Sequence, residues 1–239
     1  INVISDIQRN EITTKNNPSA RGMSFELVTR QNAALGGFPV HAIYNKIHHY
    51  GTGIFIQSCD HVEMELNEVE TFGPVQSAMP ERRGISMMGG SYNQLDQNKI
   101  FGPSTLMQQD TARGIWIESS PNNFTVCNEV ENHGWGVTYY HASFGTTVQE
   151  NVIKNGKNGF VLFESVIGNQ GGIGQPTDNR WQGTFTRAKM DSRGADGQLS
   201  RFFIRSQGMY NFTGNNIGTN TQFNGIPVVF TFTNQSGQN

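Results

Sequence analysis

A glycine followed by a short apolar strand recurs six times along the chain, and each time an asparagine triplet of the type Asn-x-(Ile/Val) or Asn-x-Trp follows. The step from glycine to asparagine is 14 residues in three successive repeats, and the shortest full repeat, from Asn45 to Asn67, is 22 residues. Repeats built from two helices need about 34 to 47 residues, so this period indicates a β-solenoid. The glycines are Gly22, Gly53, Gly84, Gly114, Gly136 and Gly159; the asparagines are Asn45, Asn67, Asn98, Asn128, Asn151 and Asn179.

The local sequence within a repeat predicts strands and polar corners. Runs such as Ile54-Phe55-Ile56 and Ile115-Trp116-Ile117 alternate with period two between an inward and an outward side chain. Glycine before each strand suits a corner of unusual φ and ψ, and asparagine suits a turn. Stacked coils would place the asparagines about 4.8 Å apart as an amide ladder. The predicted ladder comprises Asn45, Asn67, Asn98, Asn128 and Asn151.

The middle residues of the asparagine triplets form a column that tests this register. Five consecutive positions alternate in sign, and opposite charges on neighbouring strands contribute roughly 0.2–1 kcal/mol each. The column is Glu11, Lys46, Glu68, Lys99, Glu129 and then Val152.

On these glycine and asparagine columns, the chain resembles the right-handed parallel β-helix proteins of the pectin-lyase-like superfamily. The resemblance covers about residues 1–183 and implies an all-β solenoid of coils of about 22 residues with long loops at one corner. Residues 184–239 are expected to form irregular final coils or a β-rich C-terminal cap with a linker tail. The resemblance further implies a secreted or surface-exposed bacterial protein, and the superfamily includes adhesins, polysaccharide lyases and glycoside hydrolases. Fold alone does not choose among these activities.

Composition narrows the class of partner. The chain of 239 residues contains 28 glycines, 15% charged residues and a formal charge of −2, so nucleic acid is not an expected partner. Its apolar runs are shorter than the ~20 residues of a membrane helix. Cys59 and Cys127 occupy different columns two coils apart, and a disulfide needs Cα atoms within about 7 Å, so none is predicted.

Two arginines precede repeat glycines on adjacent coils. Arg83 and Arg113 could form a binding strip for an acidic polysaccharide, because guanidinium groups suit carboxylates and sulfates. The alternative is that both arginines pair with loop acids such as Glu81 or Asp110.

Aromatic residues gather around a carboxylate on the outward side of the glycine-led strands. Trp116 and Tyr140 flank Glu118, with Phe55 and Phe163 in the same two columns. Such rings could bind a sugar because they offer apolar area with a polar handle. The alternative is that long loops or residues 184–239 cover this face.

Catalysis has less support in the sequence. The resemblance allows a polysaccharide lyase, or less readily a hydrolase, and lyases of this fold generally use calcium. The acidic groupings Asp60, Glu63 and Glu65, or Asp191 and Asp196, do not recur on adjacent coils, and no paired carboxylate for acid/base work is visible. Catalytic residues are therefore not assigned, no cofactor is expected, and calcium is retained only as a possibility.

Two further expectations concern export and assembly. Asp110-Thr111-Ala112 resembles the acceptor triplet for O-glycosylation in bacteria with large exported surface proteins, such as those of type IX secretion, with Thr111 as the modified residue. The run Ile1-Asn2-Val3-Ile4 is already repeat-like, and an uncapped solenoid end pairs readily with other strands. The remaining parts of a longer chain, or an assembly partner, are therefore expected to cover the N-terminal edge.

Overall fold

The computed structural model describes residues 5–14, 19–28, 40–49, 51–72, 81–107, 109, 111–163, 165, 179–193, 203–205 and 231–233. Within these residues the chain winds as a solenoid, and every strand pairing is parallel. The strands of successive coils lie side by side and form three faces. The all-β solenoid expected from the repeat is confirmed.

The first face is a six-stranded sheet in which consecutive coils lie side by side. It contains β1 (Ser5–Gln8), β4 (Val40–Ile43), β7 (Val62–Glu65), β10 (Gln94–Asp96), β13 (Phe124–Val126) and β15 (Thr147–Gln149).

The second face carries the strands that begin just after the repeat asparagines, and the third carries the glycine-led strands. The second contains β2 (Glu11–Thr13), β5 (Lys46–His49), β8 (Glu68–Thr71) and β11 (Lys99–Phe101). The third contains β3 (Arg21–Glu26), β6 (Thr52–Gln57), β9 (Arg82–Met88) and β12 (Ala112–Glu118). One 3₁₀ turn, Ser104–Leu106, precedes β12.

In the later coils a single long strand runs through the corner between the second and third faces, which joins them into one sheet. These strands are β14 (Glu129–Tyr140), β16 (Val152–Phe163) and β17 (Arg180–Arg193). The pairing of β17 with β16 continues to Arg193, which is ten residues past the boundary placed at 183. Beyond it, β18 (Phe203–Arg205) pairs with β19 (Thr231–Thr233).

The interior is filled by equivalent side chains stacked coil upon coil. On the second face Val69 pairs in register with Ile47 and Ile100, and on the third Ile85 pairs with Ile54 and Ile115. All of these side chains are fully buried. Burial of a whole Ile or Val contributes roughly 1.5–3 kcal/mol, so these columns form the main apolar core.

Glycine is needed at the repeat positions for a different reason from the one expected. They do not adopt the positive φ that the sequence suggested; within the described residues the positive-φ glycines are Gly89, Gly90, Gly145 and Gly183. A Cβ on Gly84 would instead lie 2.2 Å from Ile100 Cγ2 and 2.6 Å from the carbonyl oxygen of Gly114. Glycine is therefore required for close approach between the second and third faces and between neighbouring coils.

The predicted asparagine ladder is confirmed. In Asn45, Asn67, Asn98 and Asn128, both the backbone N–H and the side-chain Nδ2 donate to Oδ1 of the asparagine on the next coil. The ladder extends to Asn10 at one end and Asn179 at the other. The left-handed backbone belongs to the preceding residue, not to the asparagine. These preceding residues are Arg9, Tyr44, Leu66, Gln97, Cys127 and Glu150, with φ between 52° and 59°.

The alternating charge column is also in register, from Glu11 paired with Lys46 through to Glu129 paired with Val152. The ion pairs along it are loose: Lys46 Nζ lies 4.0 Å from Glu68 Oε2 with both side chains well exposed. Exposed pairs of this kind contribute little to stability. Glu129 pairs instead with Lys154, two residues past the column.

A polar cluster is buried inside the solenoid near the corner that follows the second face. His49 Nε2 lies 2.9 Å from Thr71 Oγ1, which lies 3.4 Å from His133 Nε2. Each ring places Nδ1 against a backbone carbonyl, of Gly51 for His49 and of Glu131 for His133. His133 can reach back to Thr71 because Gly102 has no side chain between them; a Cβ there would meet His133 Cε1 at 3.2 Å.

Candidate functional site

The candidate site lies on the outer side of the third face, where the three predicted columns are confirmed in register. Arg113 pairs with Arg83 on one side and with Trp135 on the other. Trp116 pairs with Ser86 and Thr138, and Glu118 pairs with Met88 and Tyr140. The solenoid therefore places the five predicted binding residues on three successive coils: Arg83, Arg113, Trp116, Glu118 and Tyr140.

Glu81 joins the two arginines. Its Oε2 lies 2.7 Å from Arg83 Nη2, and its Oε1 lies 2.9 Å from Arg113 Nη1. The pairing with Glu81 that the sequence left open is thus present in the structure; Asp110, the other acid considered, lies outside the described residues. One carboxylate bridges guanidinium groups from neighbouring coils, and we call Glu81, Arg83 and Arg113 the arginine clamp.

Aromatic rings pack against the guanidinium groups of the arginine clamp. The Arg113 Cζ atom lies 4.3 Å from the centre of the Trp116 ring and 4.4 Å from that of Trp135, and Arg83 Cζ lies 4.7 Å from Trp116. Cation–π contacts of this kind are worth about 0.5–2 kcal/mol. Arg83 is held further by a 3.1 Å hydrogen bond from Nη1 to Ser86 Oγ. Trp135 was visible in the arginine column of the sequence but was not recognised as part of a site.

Trp116 is not an open platform. Only 4% of the residue is exposed, whereas a sugar-stacking ring needs a free face. Its Nε1 donates a 2.9 Å hydrogen bond to Glu118 Oε2, which holds that carboxylate against the surface. Other outward residues of the same column are buried too, among them Phe55, under the guanidinium of Arg21 at 3.5 Å. This part of the face is therefore covered.

Tyr140 lies in a stack of rings from three successive coils. Its ring centre lies 4.8 Å from that of Trp116 and 4.9 Å from that of Phe163, with small interplanar angles. Both faces of the Tyr140 ring are therefore occupied, and the centre of the His141 ring lies 3.9 Å from that of Tyr140, with the two rings steeply inclined. No ring face of Tyr140 is therefore open for stacking on a sugar.

The acidic groups considered for calcium lie elsewhere. Glu63 and Glu65 are on the outer side of the first face, and burial raises the pKa of the Glu63 carboxyl, against the opposing effect of His41. Asp60 Oδ1 accepts a hydrogen bond from the backbone of Ser91 at 2.7 Å. No three His, Cys, Asp or Glu side chains in the described part of the chain are grouped so as to hold a metal ion. Asp191 has no described side chain, and Asp196 lies outside the described residues.

Thr111 is exposed and directly precedes β12. Its carbonyl oxygen accepts a hydrogen bond from the backbone N–H of Arg82 at 3.1 Å, so the backbone there is tied to the neighbouring coil while the side chain stays accessible. Cys59 and Cys127 are free thiols. Among the described residues, no helix has the length and apolar character needed to span a bilayer.

The parallel coils, the asparagine ladder and the close-packed glycines define a parallel β-helix repeat protein. A family model described as right-handed β-helix region matches residues 27–172, which is more than half of the chain. The chain therefore belongs to the right-handed β-helix family. No curated protein and no solved structure matched it.

Proposed function

We propose that this chain is a structural and adhesive segment of a larger bacterial surface or secreted protein, and that it binds acidic glycans through Arg83 and Arg113. The β-helix provides the rigid, elongated scaffold that an adhesive segment needs. The binding surface is the arginine clamp together with Glu118 and the outward edge of Tyr140.

The observation that carries this proposal is the arginine clamp itself. Arg113 has only 7% of its side chain exposed and Arg83 18%, yet both guanidinium groups lie at the same surface and share one carboxylate. Burying a cation is costly unless it is paired, so a site of this kind is suited to an oxyanion. Guanidinium groups bind carboxylates and sulfates through parallel hydrogen bonds.

The geometry changes the role of the aromatic residues within this proposal. Because Trp116 is buried and both faces of Tyr140 are occupied, we do not assign them to stacking on a sugar ring. They position the arginines, and the ligand is recognised by its charge. Two guanidinium groups share the one carboxylate of Glu81, so the clamp itself carries one excess positive charge on a chain whose net charge is −2.

The test is binding to immobilised polygalacturonate and heparin, with uncharged dextran as the comparison polymer. Wild type should bind the charged polymers at low salt and lose affinity as salt rises, because surface charge interactions are screened. Arg83→Gln should weaken binding about tenfold or more, equivalent to roughly 1.4 kcal/mol. Arg21→Gln is the matched control: Arg21 lies at the end of the same column and pairs with Glu26 at 2.6 Å. Equal loss in both variants would contradict a site at Arg83.

A polysaccharide lyase remains the second candidate, because a carboxylate does converge beside the two arginines. Such an enzyme would produce unsaturated uronates from an acidic polysaccharide, which absorb ultraviolet light. Incubation with polygalacturonate, with and without calcium, decides between the candidates. Steady accumulation of the unsaturated product that Arg83→Gln abolishes would assign catalysis, and binding without any product supports the adhesive role.

We also propose that Thr111 is a glycosylation site and that the protein is exported. The exposed Thr111 side chain beside Asp110 supports modification. Mass spectrometry of the peptide containing Thr111, from protein isolated from its natural source, should show an added sugar mass that Thr111→Ala removes. An unmodified peptide from surface-located protein would remove this part of the proposal.

A further inference from the structure

Glu81 differs from the two arginines that it bridges in how firmly it is held. About 40% of the Glu81 side chain is exposed, against 18% for Arg83 and 7% for Arg113. The arginines are held by contacts with the Trp116 and Trp135 rings and by the Ser86 hydroxyl. Glu81 directly precedes β9, and its carboxylate contacts both guanidinium groups while remaining the most exposed of the three side chains. The clamp therefore consists of two fixed cations and one accessible anion.

The two Glu81 oxygens occupy the positions that an external oxyanion would need. Each oxygen accepts from one guanidinium, at 2.7 Å and 2.9 Å, and the two arginines lie on adjacent strands in direct register. A ligand carboxylate or sulfate bridging the same two groups would have to accept from the same nitrogen atoms. Ligand and Glu81 cannot both do so without bringing two anions into contact.

We propose that Glu81 is a resident competitor: its carboxylate occupies the anion site formed by Arg83 and Arg113, and an acidic glycan binds by displacing it. This inference rests on the proposed function and adds the way in which the site is regulated. The group recognised is a bridging oxyanion, which can be the carboxylate of a uronate or a sulfate ester. Because Glu81 is partly solvated, its hold on the arginines is that of a surface pair, and a multivalent polymer can displace it.

The experiment compares Glu81→Gln with wild type in binding to polygalacturonate, to heparin and to dextran. Affinity for the charged polymers should rise by roughly three- to tenfold, as expected when a competing surface ion pair is removed. Binding to dextran should not change. The larger gain identifies the source of the oxyanion, polygalacturonate for a carboxylate and heparin for a sulfate.

Two variants separate displacement from simpler effects. Glu26→Gln makes the same change in net charge on the same face, at the ion pair with Arg21, and should leave the affinity unchanged. Glu81→Asp keeps the charge but shortens the side chain by one CH₂ so that it no longer bridges both arginines, and it should give a smaller gain than Glu81→Gln. Thermal melting of each variant checks that it is folded. If Glu81→Gln is unfolded at room temperature, the gain in affinity is tested with Glu81→Asp instead.

The outcomes distinguish the two proposals. If wild type binds the charged polymers but both Glu81 variants bind equally or more weakly, Glu81 is a structural brace or a ligand contact, and the competitor role is wrong. A gain shared equally by Glu26→Gln would assign the effect to net charge and also overturn it. If neither wild type nor Glu81→Gln binds either polymer, the proposed function fails, and this inference with it.

Discussion

The side-chain oxygen of Asn98 accepts two hydrogen bonds from Asn67 on the preceding coil, one from Nδ2 at 3.0 Å and one from the backbone N–H at 3.1 Å. The Nδ2 of Asn98 donates in turn to the Met64 carbonyl at 2.8 Å and to Asn128 Oδ1 at 2.9 Å. Asn98 is fully buried. One amide thus satisfies polar groups on the two neighbouring coils and links three coils together, which explains why the same residue type recurs at this corner.

Asn98→Ala should be strongly destabilising, because it leaves several buried donors and acceptors without partners. Each orphaned group costs about 1–3 kcal/mol, so we expect a loss of at least about 3 kcal/mol in the free energy of unfolding, measured by urea denaturation. Asn10→Ala is the control at the exposed end of the ladder and should cost less than about 1 kcal/mol. Similar costs at both positions would contradict the cooperative role of the ladder.

Gly84→Ala should destabilise the protein although alanine is a small residue. The new Cβ would overlap both Ile100 and the backbone of Gly114, and overpacking typically costs about 1–3 kcal/mol even when the neighbours can move. Because one obstacle is backbone, we expect the upper part of that range by urea denaturation. Gly89→Asn is the control: the nearest atom lies 3.5 Å from its Cβ position, and asparagine tolerates its φ of 71°. A loss in Gly84→Ala that is no larger than the loss in Gly89→Asn would contradict the close-approach explanation for Gly84.

Trp116→Ala should cause a large loss of stability, because the ring is buried. It should cause little loss of ligand binding by the molecules that remain folded, because the ring does not stack on a ligand. A buried tryptophan replaced by alanine costs about 3–5 kcal/mol, and here the contacts with Tyr140 and Arg113 are lost as well. Trp116→Phe keeps an aromatic face but loses the hydrogen bond to Glu118, so its cost should be less than half as large. A drop in melting temperature no greater than that of Trp116→Phe would indicate that the ring packs loosely.

Stability should fall as the pH is lowered below about 6.5, the ordinary pKa of histidine in an unfolded chain. Burial, followed by the charge of His133, lowers the pKa of His49 to about 3, and burial lowers the pKa of His133 to about 4. Both folded values lie below the unfolded value, so the unfolded chain binds more protons between pH 6.5 and 4. The stability contributed by neutral burial is fully present above pH 6.5 and is lost progressively below it.

The size of this dependence can be measured by urea denaturation at several pH values. Each histidine should contribute up to about 1.4 kcal/mol per pH unit. His133→Asn should therefore show a shallower slope than wild type between pH 6 and 4.5, whatever its stability at pH 8. Comparing the slopes cancels the other titrating groups, such as Glu63, whose raised pKa acts in the opposite direction. Equal slopes would mean that His133 becomes protonated in the folded protein.

Much of the architecture could be predicted because a solenoid repeats the same local environment on every coil. The asparagine column predicted the hydrogen-bonded ladder from Asn45 to Asn151. The alternating charges from Glu11 to Glu129 predicted the register of the strands on the second face. The arginine and aromatic columns also aligned as expected, including the adjacency of Arg83 and Arg113. In each case sequence spacing translates directly into spatial stacking, so no long-range information was needed.

Contacts across the coil could not be predicted in the same way. The repeat glycines suggested unusual backbone angles, but Gly84 is required by the Ile100 side chain and a neighbouring carbonyl. The corner residues with left-handed backbone, from Arg9 to Glu150, have side chains of different chemical types. No residue type in the sequence therefore marks these positions. That corner conformation is imposed by the ladder and the strands on either side of it.

The sequence by itself determined the fold class, the coil register and the set of residues on the outer surface of the third face. Only the tertiary structure decided how accessible those residues are and with which groups they pair. Trp116 is buried because Arg113 from its own strand and Arg83 and Tyr140 from the neighbouring coils pack against it. Glu81 bridges the arginines because its position directly before β9 brings its carboxylate within hydrogen-bond distance of both. Burial and ion pairing depend on distances between coils, which a one-dimensional period does not contain.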